Sequence, residues 1–210
     1  MPKLTKYGLK LESVRTSFDL TADSGVDAAG DYIRTISEET PCRRIIPSLK
    51  DKDVRRQDAY DRLRRIGDLA ARRDVTISLE THPVLCGNGD AILSTMQGVD
   101  HPNVRSNFDT ANIYFYNRGL NTVDELKKVV PFVDSVHLKE TSGEFQTHTF
   151  PALGEGVVDF KGVFDVLNAH GFYGPFSLEL EGVRGRAYTF EDKKHMVERS
   201  LAHLRTIGCM

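Results

Sequence analysis

Glu80, Asp109, His137 and Glu179 are the residues of this chain best suited to chemistry, three carboxylates and an imidazole set at or near the ends of strand-like runs. Those runs are VTISLE, NVRSNFD, SVHLKE and FSLELE. Side chains alternate across a strand, so Thr76, Ser78 and Glu80 share one face while Val75, Ile77 and Leu79 share the other. The same division sets Asn107 and Asp109 against Val104 and Phe108, and Ser135, His137 and Lys139 against Val136 and Leu138. It also sets Ser177, Glu179 and Glu181 against Phe176, Leu178 and Leu180. Inward charges in a sheet core are costly unless they are paired or metal-bound. A hard, oxygen-rich set with one imidazole suits a divalent cation, Mn²⁺, Mg²⁺ or Co²⁺, with Zn²⁺ also admissible. A glutamate at a strand end, taken singly, is more often solvated or salt-bridged; four at matching positions point to a shared site.

The elements that must carry these residues can be read from period and punctuation. YGLKLESVRTSF reads as a first strand with Leu9 and Leu11 on one face. Between Thr21 and Pro47 two segments, DYIRTI and RRIIPSL, compete for a place in the sheet. Val54, Tyr60, Leu63, Ile66, Leu69 and Ala70 form a helical stripe that leads into the Glu80 strand, and residues 88–97 make a short helix. Thr122 with Glu125 reads as a capping box, Asp159 caps a helix closed by Gly171, and Thr189 opens a last helix with Val197, Leu201 and Leu204 inward. The stretch 140–158 is a long loop of the kind used for lids or binding. Strand and helix alternate, so the expected fold is α/β, a (β/α)₈ TIM-barrel type with parallel pairing and right-handed crossovers, in one domain over residues 1–210. Such a barrel takes about 250 residues, roughly 31 per unit. The 210 residues here and about six legible strands predict an incomplete barrel lacking two N-terminal β/α units. Exposed strand edges then predict a homo-oligomer.

Composition narrows the function. With 40% hydrophobic residues and a net charge of −2, the chain has the makings of one buried core and no electrostatic footprint for nucleic acid or an anionic membrane. Cys42, Cys86 and Cys209 lack CxxC spacing, which predicts no disulfide framework and suits a reducing cytoplasm. No run is long and apolar enough for a transmembrane span.

LETHP at 79–83, NFDTAN at 107–112, VHLKE at 136–140, LGEGVVDF at 153–160 and YGPFSLELEG at 173–182 together resemble the xylose isomerase-like family of sugar isomerases and epimerases. The resemblance runs in family order from about Leu9 to the C-terminus and is specific for the superfamily rather than the substrate. It implies that Glu80, Asp109, His137 and Glu179 bind one divalent cation, with Glu181 a rival ligand. It further implies proton transfer beside a carbonyl of a small-molecule sugar through an enediolate, Glu80 and Glu179 acting as the acid/base pair. A sugar or inosose-type dehydratase on the same scaffold and an inactive, truncated barrel that binds a partner are the competing readings. Candidate substrate contacts are His82, Asn112, Lys139, Glu155 and Arg184. Each has a plainer alternative: a structural hydrogen bond for His82, a salt bridge to Glu140 or Glu181 for Lys139, a turn for the Glu155 loop, and a solvated basic loop for Arg184 and Arg186. The nuclease relatives and ketose 3-epimerases typically carry histidine where this chain has Asn112, which argues against a three-zinc nuclease.

Overall fold

The computed structural model describes residues 2–209. Six parallel strands form one sheet in the order β1 (Val14–Asp19), β2 (Arg44–Lys50), β3 (Thr76–Glu80), β4 (Val104–Asp109), β5 (Val133–Leu138) and β7 (Phe176–Leu178). Helices connect them: α2 (Ser24–Glu39), α3 (Arg56–Ala71), α4 (Gly89–Val99), α5 (Asn112–Tyr116) with α6 (Thr122–Val129), and α7 (Phe160–Ala169). A short α1 (Pro2–Lys6) precedes the sheet, and α8 (Phe190–Thr206) follows it. The loop after β5 carries β6 (Thr149–Phe150), which pairs antiparallel with β8 (Gly182–Val183) beyond β7. Among the described residues, the edge strands β1 and β7 are not hydrogen-bonded to each other. No helix is long and apolar enough to cross a membrane, again among the described residues.

Alternation sorts the side chains. Ile77, Leu79, Phe108, Val136 and Leu138 point outward into a buried layer shared with Ile33, Leu63, Ile66, Ile92, Leu126 and Val163 of the helices. Ser78, Glu80, Asn107, Asp109, Ser135, His137 and Lys139 face inward and are also buried. Asn88, Asn121 and Asp159 each cap the N-terminus of their helix with a side-chain oxygen, and Thr189 makes a full capping box with Asp192.

Several local expectations are corrected. The first strand begins only at Val14, where pairing to Ile45 starts; Leu9 is 58% exposed because no neighbouring strand lies beside it. RRIIPSL supplies β2, whereas DYIRTI lies inside α2. Thr122 and Glu125 form no capping box: Asn121 is the cap, Thr122 Oγ1 donates to the Thr110 carbonyl, and Glu125 Oε2 accepts from Gly89 N–H at 2.7 Å. On α8 the buried stripe is Met196, Ser200 and Leu204; of the expected residues Leu204 is buried, whereas Leu201 is only partly buried and Val197 is exposed.

One irregularity reaches into the interior. Ser106 pairs with Val133 and Asn107 with Ser135, so Asp134 is the extra residue of a β-bulge. Its Oδ2 accepts from Ser78 Oγ and from Arg44 Nε, each at 2.6 Å, tying β2, β3 and β5 together.

Candidate metal centre

Glu80 ends β3, Asp109 ends β4, His137 is the penultimate residue of β5, and Glu179 directly follows β7. One atom from each, Glu80 Oε1, Asp109 Oδ2, His137 Nδ1 and Glu179 Oε2, lies within 4.8 Å of the others. His137 Nδ1 is 2.6 Å from Glu179 Oε2, 3.6 Å from Glu80 Oε1 and 3.8 Å from Asp109 Oδ2. None of these four buried atoms has a hydrogen-bond partner of acceptable geometry, the 2.6 Å approach included.

The second oxygen of every carboxylate is committed to protein. Glu80 Oε2 accepts from Arg15 Nη2 at 2.8 Å and from Ser48 Oγ at 2.9 Å. Asp109 Oδ1 accepts from the N–H groups of Ala111 and Asn112, both at 2.9 Å. Glu179 Oε1 receives Lys139 Nζ at 3.3 Å and Arg15 Nη1 at 3.4 Å. A buried polar atom left unpaired costs about 1–3 kcal/mol. Four such atoms, drawn from three strands and the residue after a fourth and turned toward one point, fit a divalent cation that would satisfy them together.

Electrostatics follow the same geometry. Burial opposes charge on His137, but Asp109, Glu179 and Glu80 outweigh it and push the cation-free imidazole up to about 11. Burial likewise opposes charge on Glu179, yet His137 and Lys139 hold it well below the usual carboxylate range. Glu80 is lowered despite burial, by His137, His82 and Arg15. Lys139 is raised in spite of burial by the nearby Asp109, Glu179 and Glu181.

The remaining sequence candidates are spread around this centre. His82 Nε2 is 3.6 Å from Glu80 Oε2, and its ring meets Tyr116 edge-on at 5.3 Å. Lys139 Nζ binds Glu181 Oε1 at 2.7 Å and lies over the Phe150 ring, so Glu181 pairs with the lysine while Glu179 joins the four. Asn112 is buried beside Asp109, and its Nδ2 donates to the Thr81 carbonyl at 3.0 Å, which commits one of its two N–H donors to backbone. Glu155 is exposed and bound by Arg199 Nε at 2.6 Å, away from the four converging atoms. Arg184 is exposed on the loop after β8, its N–H donating to the His148 carbonyl. Phe115 and Tyr116 extend an aromatic wall through His148 and Phe150, whereas Tyr114 is partly buried and packs against the core.

Three contributors escaped the sequence reading. Arg15 and Ser48 sit on the inward face of β1 and β2, where period-two alternation alone could have pointed to them. Glu140 is fully buried and accepts the N–H groups of Thr141 and Gly154 at 2.9 Å and of Val158 at 3.0 Å, which organises the whole loop after β5. Only tertiary structure reveals that role.

Parallel strands wrapped by helices, with four side chains that could hold a cation gathered at their C-terminal ends, have the architecture of a β/α barrel. Residues 8–207 match the xylose isomerase-like TIM barrel family, and the chain belongs to it. It is 31% identical over 150 residues to an inosose dehydratase of Geobacillus thermodenitrificans, covering 62% of this chain and 49% of that protein. It is 27% identical over 178 residues to an L-ribulose-5-phosphate 3-epimerase of Salmonella typhi, covering 81% of this chain and 55% of that protein. The chain thus spans about half the length of these curated relatives. Among solved structures, a xylose isomerase domain protein from Planctomyces limnophilus superposes with a TM-score of 0.78 at 21% identity, covering 98% of this chain and 80% of that one. A xylose isomerase-like TIM barrel protein from Mycobacterium smegmatis, solved in complex with magnesium, gives 0.71 at 20% identity, with coverages of 96% and 76%.

Proposed function

We propose that the chain carries a divalent-cation-dependent site for proton transfer beside a carbonyl, and that it isomerises or epimerises a small keto sugar or sugar phosphate. The observation that carries this reading is the division of the carboxylates: one oxygen of each is held by protein, and the other is buried, unpartnered and turned to a common point. A cation bound there would polarise the substrate carbonyl and stabilise the negative charge of an enediolate. Glu80 at the end of β3 and Glu179 just after β7, with β4 and β5 between those strands, are the pair assigned to move the proton. Arg15 and His137 contact both carboxylates and Lys139 contacts Glu179, so both begin ionised and the first act is proton removal. The C–H bonding pair passes into the carbonyl and the proton to one glutamate. Isomerisation is completed when that same glutamate returns the proton to the neighbouring carbon. Epimerisation is completed when the opposite glutamate, after taking a proton from solvent, delivers it to the other face while the first releases its own to solvent.

The test is deuterium incorporation from D₂O into L-ribulose 5-phosphate, followed by NMR, with protein reconstituted with Mn²⁺, Co²⁺ or Mg²⁺. Glu80→Gln and Glu179→Gln are expected to abolish incorporation. Failure of the wild-type chain to retain any of these ions would refute the reading. A dehydratase is the second reading, favoured by the alignment to inosose dehydratase. It is distinguished by loss of water from an inosose, since an enediolate can expel a β-hydroxyl instead of being reprotonated.

A further inference from the structure

We propose that Arg15 is a positioning residue that confines Glu80 and Glu179 to one inward oxygen each. The proposal rests on reading the four converging side chains as a cation site. Outside those four, and among the described residues, Arg15 alone ion-pairs with both glutamates, at 2.8 Å to Glu80 Oε2 and 3.4 Å to Glu179 Oε1. The oxygens it takes are the two that do not face the shared point; Glu80 Oε1 and Glu179 Oε2 remain inward. Ser48 supports the hold on Glu80, and Lys139 that on Glu179.

Topology explains why an arginine stands here. β1 and β7 are the edges of the sheet, and no backbone bond joins them among the described residues. Ser17 is opposite Ser48, the residue that bonds Glu80, so Arg15 starts two positions lower on β1 and must reach roughly 7 Å along the strand to that level. Its long stem covers that distance, and its planar fork presents separate N–H groups to the two carboxylates; a lysine, with one compact ammonium, has no such fork. The Arg15 side chain therefore links the two edges of the sheet at the level of the site, half exposed in the gap between them.

A carboxylate whose outer oxygen is held can offer a cation only the inner one. Released, it can rotate and chelate with both, raising the coordination number and occupying positions a substrate's oxygens would use. Co²⁺ reads this change directly, because its visible absorption is strong in four- or five-coordinate sites and weak in six-coordinate ones. Wild type, Arg15→Met and Arg15→Lys are each loaded with one Co²⁺ per chain, folding is checked by circular dichroism, and the spectra are compared. Arg15→Met is expected to lose about half or more of the visible absorption, a shift toward six-coordination. Arg15→Lys, able to hold one glutamate, is expected to fall between, and it carries the test if the methionine variant does not fold. Spectra superimposable on that of the wild type would overturn the proposal while leaving the cation site intact. Absence of Co²⁺ binding by the wild type would remove the underlying reading as well.

Discussion

Replacing Glu140 by glutamine removes one charge and hardly any volume, yet it should loosen the entire loop from Thr141 to Val158. Glu140 Oε1 accepts N–H groups from Thr141 and Val158, and Oε2 accepts from Gly154, within a fully buried site. The glutamine amide can keep its oxygen toward the pair of donors, which turns its NH₂ group against the Gly154 N–H. The orphaned donor costs about 1–3 kcal/mol. The two bonds that persist lose their charge assistance, which makes such bonds roughly twice as strong as neutral ones, adding about 1 kcal/mol. A total near 3 kcal/mol corresponds to roughly a hundredfold change in an equilibrium constant. Hydrogen exchange followed by NMR resolves where it appears: the amides of Thr141, Gly154 and Val158 should exchange about a hundredfold faster, while those of β3 and β4 stay near their wild-type rates. Exchange within about threefold of wild type at all three amides would refute the assignment of Glu140 as the loop's anchor.

Two further outcomes follow from the site. The cation-free His137 is pushed up to about 11 by its three carboxylate neighbours, so it carries a proton at neutral pH that an incoming cation must expel. The favourable pairing of the imidazolium is present below the unfolded value of about 6.5 and fades as pH rises through about 11, so cation affinity runs the other way, rising roughly tenfold per pH unit below 11. Calorimetric Mn²⁺ titrations at pH 7 in buffers of different ionisation enthalpy should show about one proton released per ion, and affinity independent of pH would contradict this. Asn112→Ala should cost about 1–2 kcal/mol in urea unfolding by stranding the buried Thr81 carbonyl, with cation stoichiometry unchanged. An unchanged unfolding midpoint would show that the bond from Asn112 to the Thr81 carbonyl contributes nothing to stability.

What the sequence disclosed was whatever a single strand or helix decides locally. The inward rank of Ser78, Glu80, Asn107, Asp109, Ser135 and His137 was legible because a pleated strand separates its faces every second residue, and the buried environment of each follows. The Asp159 cap and the helix start at Thr189 were legible because a cap bonds within its own first turn. Features set by a neighbouring strand were not. The true start of β1 depends on where β2 begins, and the inward turn of Asp134 depends on a slip in register against β4. Glu125 showed the limit of local rules: it has capping-box spacing but reaches instead to Gly89 on another helix. Arg15 was obscured for the same reason, since reading residues 7–18 as one long strand drew attention to Leu9 and Leu11 rather than to the residues opposite β2.

The small antiparallel pairing of Thr149–Phe150 with Gly182–Val183 joins the loop that leaves the His137 strand to the loop that follows Glu179. Arg184 N–H to the His148 carbonyl adds a further rung, and the Tyr188 hydroxyl braces the turn through Val183 N–H. These two loops are thus tied to each other by backbone hydrogen bonds. A force that lifts either loop is shared by the other, so displacement at the rim reaches the ends of both strands at once rather than disturbing His137 and Glu179 one at a time.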